Sequence, residues 1–238
     1  MTIRLGGWQP VTLIDFPGRV AATLFTAGCN FRCPFCHNAE LVIPDRIEQL
    51  PPCDAAGVLS ELKRRRGFLD GVVLTGGEPT VQQDLIGLIE ELREIGLLVK
   101  LDTNGARPDV VERLLERALI DHIAVDIKGP PHRYAEFAGV DVSIEAIRET
   151  VRLVVEGGID HELRTTVAPG LEATDLEAIA RWIGAANRYV LQRFRVPNET
   201  GKSLLDPSWS EKKAMDAAGL RAAWASIGAR FESGGVRS

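Results

Sequence analysis

Three cysteines fall within one short stretch, Cys29-Asn30-Phe31-Arg32-Cys33-Pro34-Phe35-Cys36, with three residues between the first pair and two between the second. Thiolates are soft ligands suited to iron–sulfur clusters and to zinc. A [4Fe–4S] cube with Cys on all four irons is closed and serves electron transfer. Three thiolates without a fourth leave one iron open to an outside ligand, and the cluster then becomes a reagent. The competing reading is zinc, whose structural sites take four ligands, commonly from two Cys or Cys/His pairs. His37 follows Cys36 directly, and neighbouring side chains diverge, so it makes a poor fourth ligand. The remaining cysteine, Cys53, follows Pro51-Pro52 with no Cys partner nearby. No second cluster is available, and Cys53 reads as a buried or idle thiol.

Apolar, β-branched runs alternate with helical patterns along the chain, the mark of repeated βα units around a parallel sheet. Six strands are expected, at Arg19–Thr26, Gly71–Thr75, Leu97–Thr103, His122–Ile127, His161–Val167 and Tyr189–Phe194. Helices are expected near Asp54–Arg66, Gln82–Ile95, Pro108–Leu119, Ser143–Glu156, Thr174–Gly184 and Glu211–Ile227. Ile144, Ile147, Val151 and Val154 follow helical spacing and give that helix one face to lay on a sheet. Thr174 with Glu177 fits a capping box, Pro108 fits a first helical turn, and Ser143 suits an N-cap. The tail Ser233–Ser238 reads as frayed. Six βα units do not close an eight-stranded barrel, so the expectation is an open, partial (β/α)6 barrel of the TIM type. One domain is expected over residues 1–238, with its core at about 13–194 and a last helix at about 211–227.

In such barrels chemistry sits at the C-terminal ends of the strands, and the unusual residues fall there. The cysteine loop follows strand one, and Gly76-Gly77-Glu78-Pro79 follows strand two. Asp102-Thr103-Asn104-Gly105 ends strand three, Asp126-Ile127-Lys128 ends strand four, and Arg164 and Gln192 lie on strands five and six. Each has a plainer reading. Gly-Gly-Glu-Pro is either a tight turn or a place where backbone approaches a ligand. Lys128 and Arg164 are either surface charges or holders of a carboxylate or ribose hydroxyls. Asp102 and Asp126 either cap turns or, at close range, repel unless a cation lies between them. His132 and Tyr134, after strand four, read as loop packing or as residues facing a substrate. Gly201-Lys202-Ser203 matches the end of a phosphate-binding loop, but Val196 stands where that loop needs glycine.

The C-x3-C-x2-C spacing, with aromatic Phe35 just before the last Cys, resembles the signature of the radical S-adenosylmethionine (SAM) enzymes, and so implies the radical SAM fold. The resemblance implies a [4Fe–4S] cluster on Cys29, Cys33 and Cys36 whose open iron takes the amino and carboxylate groups of SAM. One electron then cleaves the sulfonium to a 5′-deoxyadenosyl radical, with the protein supplying orientation and exclusion of water. Cys-Pro-Phe-Cys-His-Asn, Leu-Asp-Thr-Asn-Gly and Val-Asp-Ile-Lys together resemble the activating enzymes of glycyl-radical enzymes. With Ile14-Asp15-Phe16-Pro17-Gly18 and the run from Arg66 to Thr80, the chain is similar to the anaerobic ribonucleoside-triphosphate reductase activating proteins, from about Leu13 to Phe194. That likeness implies that the Gly76-Gly77-Glu78 strand binds the methionine amino group and that the Phe35 backbone touches adenine. It places Lys128 and Arg164 on SAM, and Asp102, Asp126 and the Thr103 backbone around a monovalent cation. It implies a glycyl-radical enzyme as protein substrate, here an anaerobic ribonucleotide reductase, and flavodoxin or ferredoxin as electron donor. Nothing in the chain resembles the Arg-Val-x-Gly-aromatic target stretch, so the target is expected from a partner.

A net charge of −5 and a pI near 5.5 give no general attraction for nucleic acid. The basic run Lys63-Arg64-Arg65-Arg66 ends a helix, where cations complement the dipole, though it also suits steering of an acidic partner. No stretch approaches the ~18 apolar residues of a membrane span, and a cytoplasmic protein is expected, with no membrane and no nucleic-acid partner. Two alternatives remain: a radical SAM enzyme acting on a small molecule, as in 7-carboxy-7-deazaguanine synthase, and a non-enzymatic metal-binding protein.

Overall fold

The computed structural model describes residues 3–184, 186–196 and 204–237. Eight strands form one sheet in chain order, and among the described residues the last does not pair back to the first, so the sheet is open. Residue contacts divide the chain into two compact units. One takes in residues up to Asn30, Glu40–Thr103 and Arg107–Ile123; the other takes in Phe31–Ala39, Asn104–Ala106 and residues from Ala124 onward.

The first unit holds β1 (Leu5–Thr12), β2 (Ala21–Thr26), β3 (Gly71–Gly76) and β4 (Leu98–Thr103). It also holds helices α1 (Pro44–Glu48), α2 (Ala55–Arg64), α3 (Leu85–Ile95) and α4 (Pro108–Glu116). β2, β3 and β4 pair in parallel, with Ala21 opposite Gly71 and Gly71 opposite Leu98. These strands read as almost unbroken apolar runs because both their faces are covered. Leu24, Val72, Leu74, Val99 and Leu101 are fully buried, as are Leu62, Leu88, Leu92, Val111 and Leu114 from the helices. Asp54 caps α2 by accepting from the Ala56 and Gly57 amides, and Gly96 ends α3 in the left-handed region.

The second unit holds α5 (Tyr134–Ala138), α6 (Ile144–Glu156), β6 (Asp160–Val167), α7 (Ala173–Ile183), β7 (Arg188–Arg193), α8 (Ala217–Ile227) and β8 (Ser233–Arg237). Strand β5 (His122–Asp126) ends in it. β6, β7 and β8 are parallel. Tyr189 on β7 is fully buried against Trp224 and Phe231, and its hydroxyl donates to Thr165 Oγ1 at 2.8 Å. Ser143 caps α6, as expected, by accepting from the Ala146 amide.

Six strands match the expected runs to within two residues at each end, and the expected open α/β sheet is present. Three expectations are corrected. First, the sheet has eight strands, gaining β1, antiparallel to β2, and β8. The segment expected to fray is therefore strand up to Arg237, because Ser233 to Arg237 pair with Arg188 to Gln192. Second, α7 is capped by Glu172 with Asp175, and not by Thr174 with Glu177. The Glu172 carboxylate accepts from the Asp175 amide while the Asp175 carboxylate accepts from Glu172 N–H at 3.1 Å. Third, α8 starts at Ala217, where Asp216 accepts from the Gly219 amide, and a short 3-10 turn, Pro207–Ser210, precedes it. Gly201-Lys202-Ser203 lies outside the described residues.

Candidate active site

In the first unit, the turns that follow β2 and β3 are built against one another. Gly28, with φ +104°, turns the chain just before Cys29. Gly77 N–H donates to Thr26 O and Glu78 N–H to Gly28 O, each at 2.8 Å. A Cβ on Gly77 would lie 2.1 Å from Gly28 O, and one on Gly76, at φ +118°, would lie 2.4 Å from Thr26 N. Backbone-to-backbone approach thus demands both glycines. The residues alone left a tight turn and an approach to a ligand both open; Gly77 owes its bareness first to the base of the cysteine loop.

Glu78 is 1% exposed, and its Oε1 accepts from Thr80 N–H at 3.1 Å, Thr80 Oγ1 at 2.6 Å and Thr103 Oγ1 at 2.6 Å. Those bonds tie the end of β3 to the end of β4 and give the buried carboxylate three donors. Beside it on β4 the buried Lys100 ammonium pairs with Asp102. Cys29 is half-buried, its Sγ 4.0 Å from Asn30 Oδ1. Cys53 is also half-buried, and burial, then the Asp54 charge, raise its thiol pKa, in keeping with an inert thiol.

In the second unit, Cys36 N–H donates to Cys33 O at 3.0 Å, closing a tight turn over Pro34-Phe35. Asn38 N–H donates to Cys36 Sγ at 3.4 Å, a contact that favours a thiolate. Leu205 N–H donates to Cys36 O and Asp206 N–H to Pro34 O, clipping the turn from outside. Phe35 is buried against Trp209, ring centroids 5.9 Å apart. His37 turns elsewhere: its Nε2 lies 2.6 Å from Arg195 O and its ring 5.5 Å from that of Phe194. Among the described residues no three His, Cys, Asp or Glu side chains gather as ligands of one ion. A cube does not ask for that, since each thiolate takes its own iron.

Asp126 ends β5 between two cations, with Arg164 Nε on Oδ1 at 2.8 Å and Lys128 Nζ on Oδ2 at 3.2 Å. Burial alone would raise its pKa; the Arg164 and Lys128 charges outweigh that and hold it well below the usual carboxylate range. For Lys128, burial pulls down, while Asp126 and then a negative Cys33 push up and win. The Lys128 ammonium therefore sits in the field of the Cys33 sulfur. Tyr134, raised by its burial, accepts from Lys128 N–H at 3.2 Å, which gives it the packing role. His132 is exposed, 4.0 Å from Asp175. Gln192 accepts from Thr166 Oγ1 at 3.5 Å.

Lys100 pairs with Asp102, and Lys128 and Arg164 both pair with Asp126. The sequence reading missed Lys100, Thr80, Trp209 and Glu162. Lys100 and Glu162 were signalled by charge inside apolar strands, each two residues from a paired opposite charge, hence on the same strand face.

Comparison with known proteins agrees with this chemistry. The Radical SAM superfamily pattern matches residues 23–183. The "Putative glycyl-radical enzyme activating enzyme MJ1227" of Methanocaldococcus jannaschii is 31% identical over 82% of this chain and 81% of its own. The "Probable GTP 3',8-cyclase" of Thermococcus kodakarensis is 31% identical over 67% of this chain and 52% of its own. The 7-carboxy-7-deazaguanine synthase of Methanopyrus kandleri is 37% identical over 49% and 52%. Among solved structures, Streptococcus suis SuiB bound to precursor peptide SuiA superposes with a TM-score of 0.67 at 16% identity, over 88% of this chain and 46% of that one. The chain thus spans about half the length of the cyclase, the synthase and SuiB. With its family pattern covering residues 23–183 and a relative aligned over about four fifths of both chains, the chain belongs to the Radical SAM superfamily.

Proposed function

We propose that this protein holds a [4Fe–4S] cluster through Cys29, Cys33 and Cys36, binds SAM, and abstracts hydrogen from a glycine of a partner enzyme. The cluster and SAM supply one electron and a 5′-deoxyadenosyl radical when bound. The chain's residues do the rest. Asn38 N–H, donating to Cys36 Sγ, and the Lys128 charge near Cys33 favour thiolates over thiols. The buried Glu78 carboxylate, fixed by Thr80 and Thr103, suits the ammonium of SAM. Lys128 and Arg164, held in place by Asp126, suit its carboxylate and ribose. Phe35, packed on Trp209, keeps its backbone still beside adenine, and Gly76-Gly77 keeps the strand to Glu78 close to the cysteine loop.

The observation that carries the glycyl-radical reading is the relative from M. jannaschii, aligned over 82% of this chain and 81% of its own. It favours a protein substrate, by the family likeness an anaerobic ribonucleotide reductase, with a flavodoxin or ferredoxin as donor and a cytoplasmic setting. The second reading, a small-molecule substrate, draws on the cyclase and synthase relatives, which align over about half their length. Reduced, cluster-loaded protein mixed with SAM and a candidate glycyl-radical enzyme decides between them. A glycyl doublet by EPR on the partner is expected. Rapid turnover of a purine or pterin substrate with no doublet on any partner overturns the activase reading.

A further inference from the structure

Ion pairs run without a break across the strands of the second unit, from Lys128 to Asp126, Arg164, Glu162, and then to Arg188 and Arg237. Strand alternation puts these side chains on one face. Glu162, Arg164 and Thr166 alternate along β6, and they are level with Arg188, Val190 and Gln192 on β7; Gln192 in turn pairs with Arg237 on β8. Among the described residues, four cations on this face pair with two carboxylates, Asp126 and Glu162.

The surplus is not spread evenly. Glu162, 2% exposed, receives Arg237 across both oxygens, at 3.3 and 3.0 Å, while Arg164 stands at 3.7 Å. That bidentate pair already suffices to tie β8 to β6. Arg188 adds one Nε contact at 3.4 Å, on a carboxylate already served. The side chains of Arg188 and Arg237 are 45% and 41% exposed. Guanidiniums crowded round one buried carboxylate repel each other, and a structural latch gains nothing from a third. A half-exposed guanidinium pair with spare planar donors does suit one incoming carboxylate or phosphate. Adjacent strands lie about 4.8 Å apart and residues rise about 3.3 Å along a strand, which puts Arg188, one strand over and two residues back, within roughly 10 Å of Arg164.

We propose that Arg188 and Arg237 form a clamp for an anionic group of the substrate, a carboxylate or a phosphate, and so select acidic substrates. The proposal deepens the radical SAM reading and rests on it for the placement of SAM near Arg164. Arg188 is the residue that decides the matter, because the latch on β8 does not need it.

The test is calorimetric titration of the cluster-loaded protein with four probes: a glycine-centred peptide flanked by glutamates, its glutamine counterpart, GTP and guanosine. Tighter binding of the acidic peptide over the glutamine one, by about tenfold or more for a charge-assisted pair, assigns a protein carboxylate. The same preference for GTP over guanosine assigns a phosphate. The gap should narrow as salt rises. Arg188→Ala should close it while leaving the affinity for the neutral probe unchanged, and Arg188→Lys should restore part of it. Thermal unfolding of each variant, read in parallel, separates lost binding from lost folding, and Arg237→Ala is interpreted only alongside that reading. Equal binding of charged and neutral probes, no binding of either acidic probe, or an Arg188→Ala variant that keeps the preference overturns the clamp. Binding preference without 5′-deoxyadenosine release from reduced protein keeps the clamp and removes the radical SAM reading, so the two fail separately.

Discussion

Adding one methyl group at Gly77 tests how the site is built. In Gly77→Ala the new Cβ meets Gly28 O at 2.1 Å, Gly28 C at 2.7 Å and Leu41 O at 3.1 Å, all backbone atoms. No side chain can rotate away, so the turn after β3 must part from the turn after β2. That parting strains or breaks Glu78 N–H to Gly28 O and Gly28 N–H to Leu41 O, both 2.8 Å. Two such bonds contribute about 1 kcal/mol each, and the overlap adds about 1–3 kcal/mol as in other overpacked sites. A loss of roughly 3–5 kcal/mol follows, which for a chain of this size lowers the melting temperature by about 6–20 °C. Because Gly28 precedes Cys29, iron content after anaerobic reconstitution should fall as well. Gly67→Ala, where a Cβ meets nothing within 4 Å, is the control and should behave as wild type. Urea unfolding and iron and sulfide analysis read both effects. A Gly77→Ala protein with unchanged urea midpoint and full iron refutes the idea that these glycines serve backbone approach.

Cys29→Ala, Cys33→Ala and Cys36→Ala should each lose the 400 nm-region absorbance of a reconstituted cluster and all SAM cleavage, whereas Cys53→Ala should keep both; cluster loss in the latter would show the ligands to be misassigned. Asp126, whose folded pKa is depressed by Arg164 and Lys128, contributes stability that is fully present above the unfolded carboxylate pKa of about 3.9. That contribution is lost as pH falls through the lower folded value. The urea midpoint of wild type should therefore drop more steeply below about pH 4 than that of Asp126→Asn, and parallel curves would contradict the pairing. Ser143→Ala removes the acceptor for the Ala146 amide and should cost about 1 kcal/mol in urea unfolding, with iron content untouched.

Much of the fold could be read because its inner strands are covered on both faces and so appear as apolar runs, as Gly71-Val72-Val73-Leu74-Thr75-Gly76 does. The edge strands carry no such mark. β1 contains Gly6-Gly7 and Pro10, and β8 is Ser-Gly-Gly-Val-Arg, so each is strand by virtue of the neighbour it pairs with. The cap of α7 was misplaced for a related reason. Asp175 also receives Arg133 at 2.8 Å, a tertiary contact that sequence spacing does not reveal.

At the site, the cysteine loop, Gly76-Gly77-Glu78, Asp126 and Lys128 were visible because residue type and strand-end position both point to chemistry. Their partners were not. Lys100 looks like an error inside an apolar strand until Asp102 is seen beside it, and Glu162 looks like one until three arginines surround it. Registry across strands brings Arg188 and Arg237 to Glu162, and one strand read alone does not contain it; the Lys100–Asp102 pair lies within β4 itself.

The most direct measurement is 5′-deoxyadenosine released from the anaerobically reconstituted, reduced protein given SAM. Release that requires reductant and disappears in Cys36→Ala is the result this account predicts. A protein carrying a full complement of iron and sulfide that releases none would contradict it.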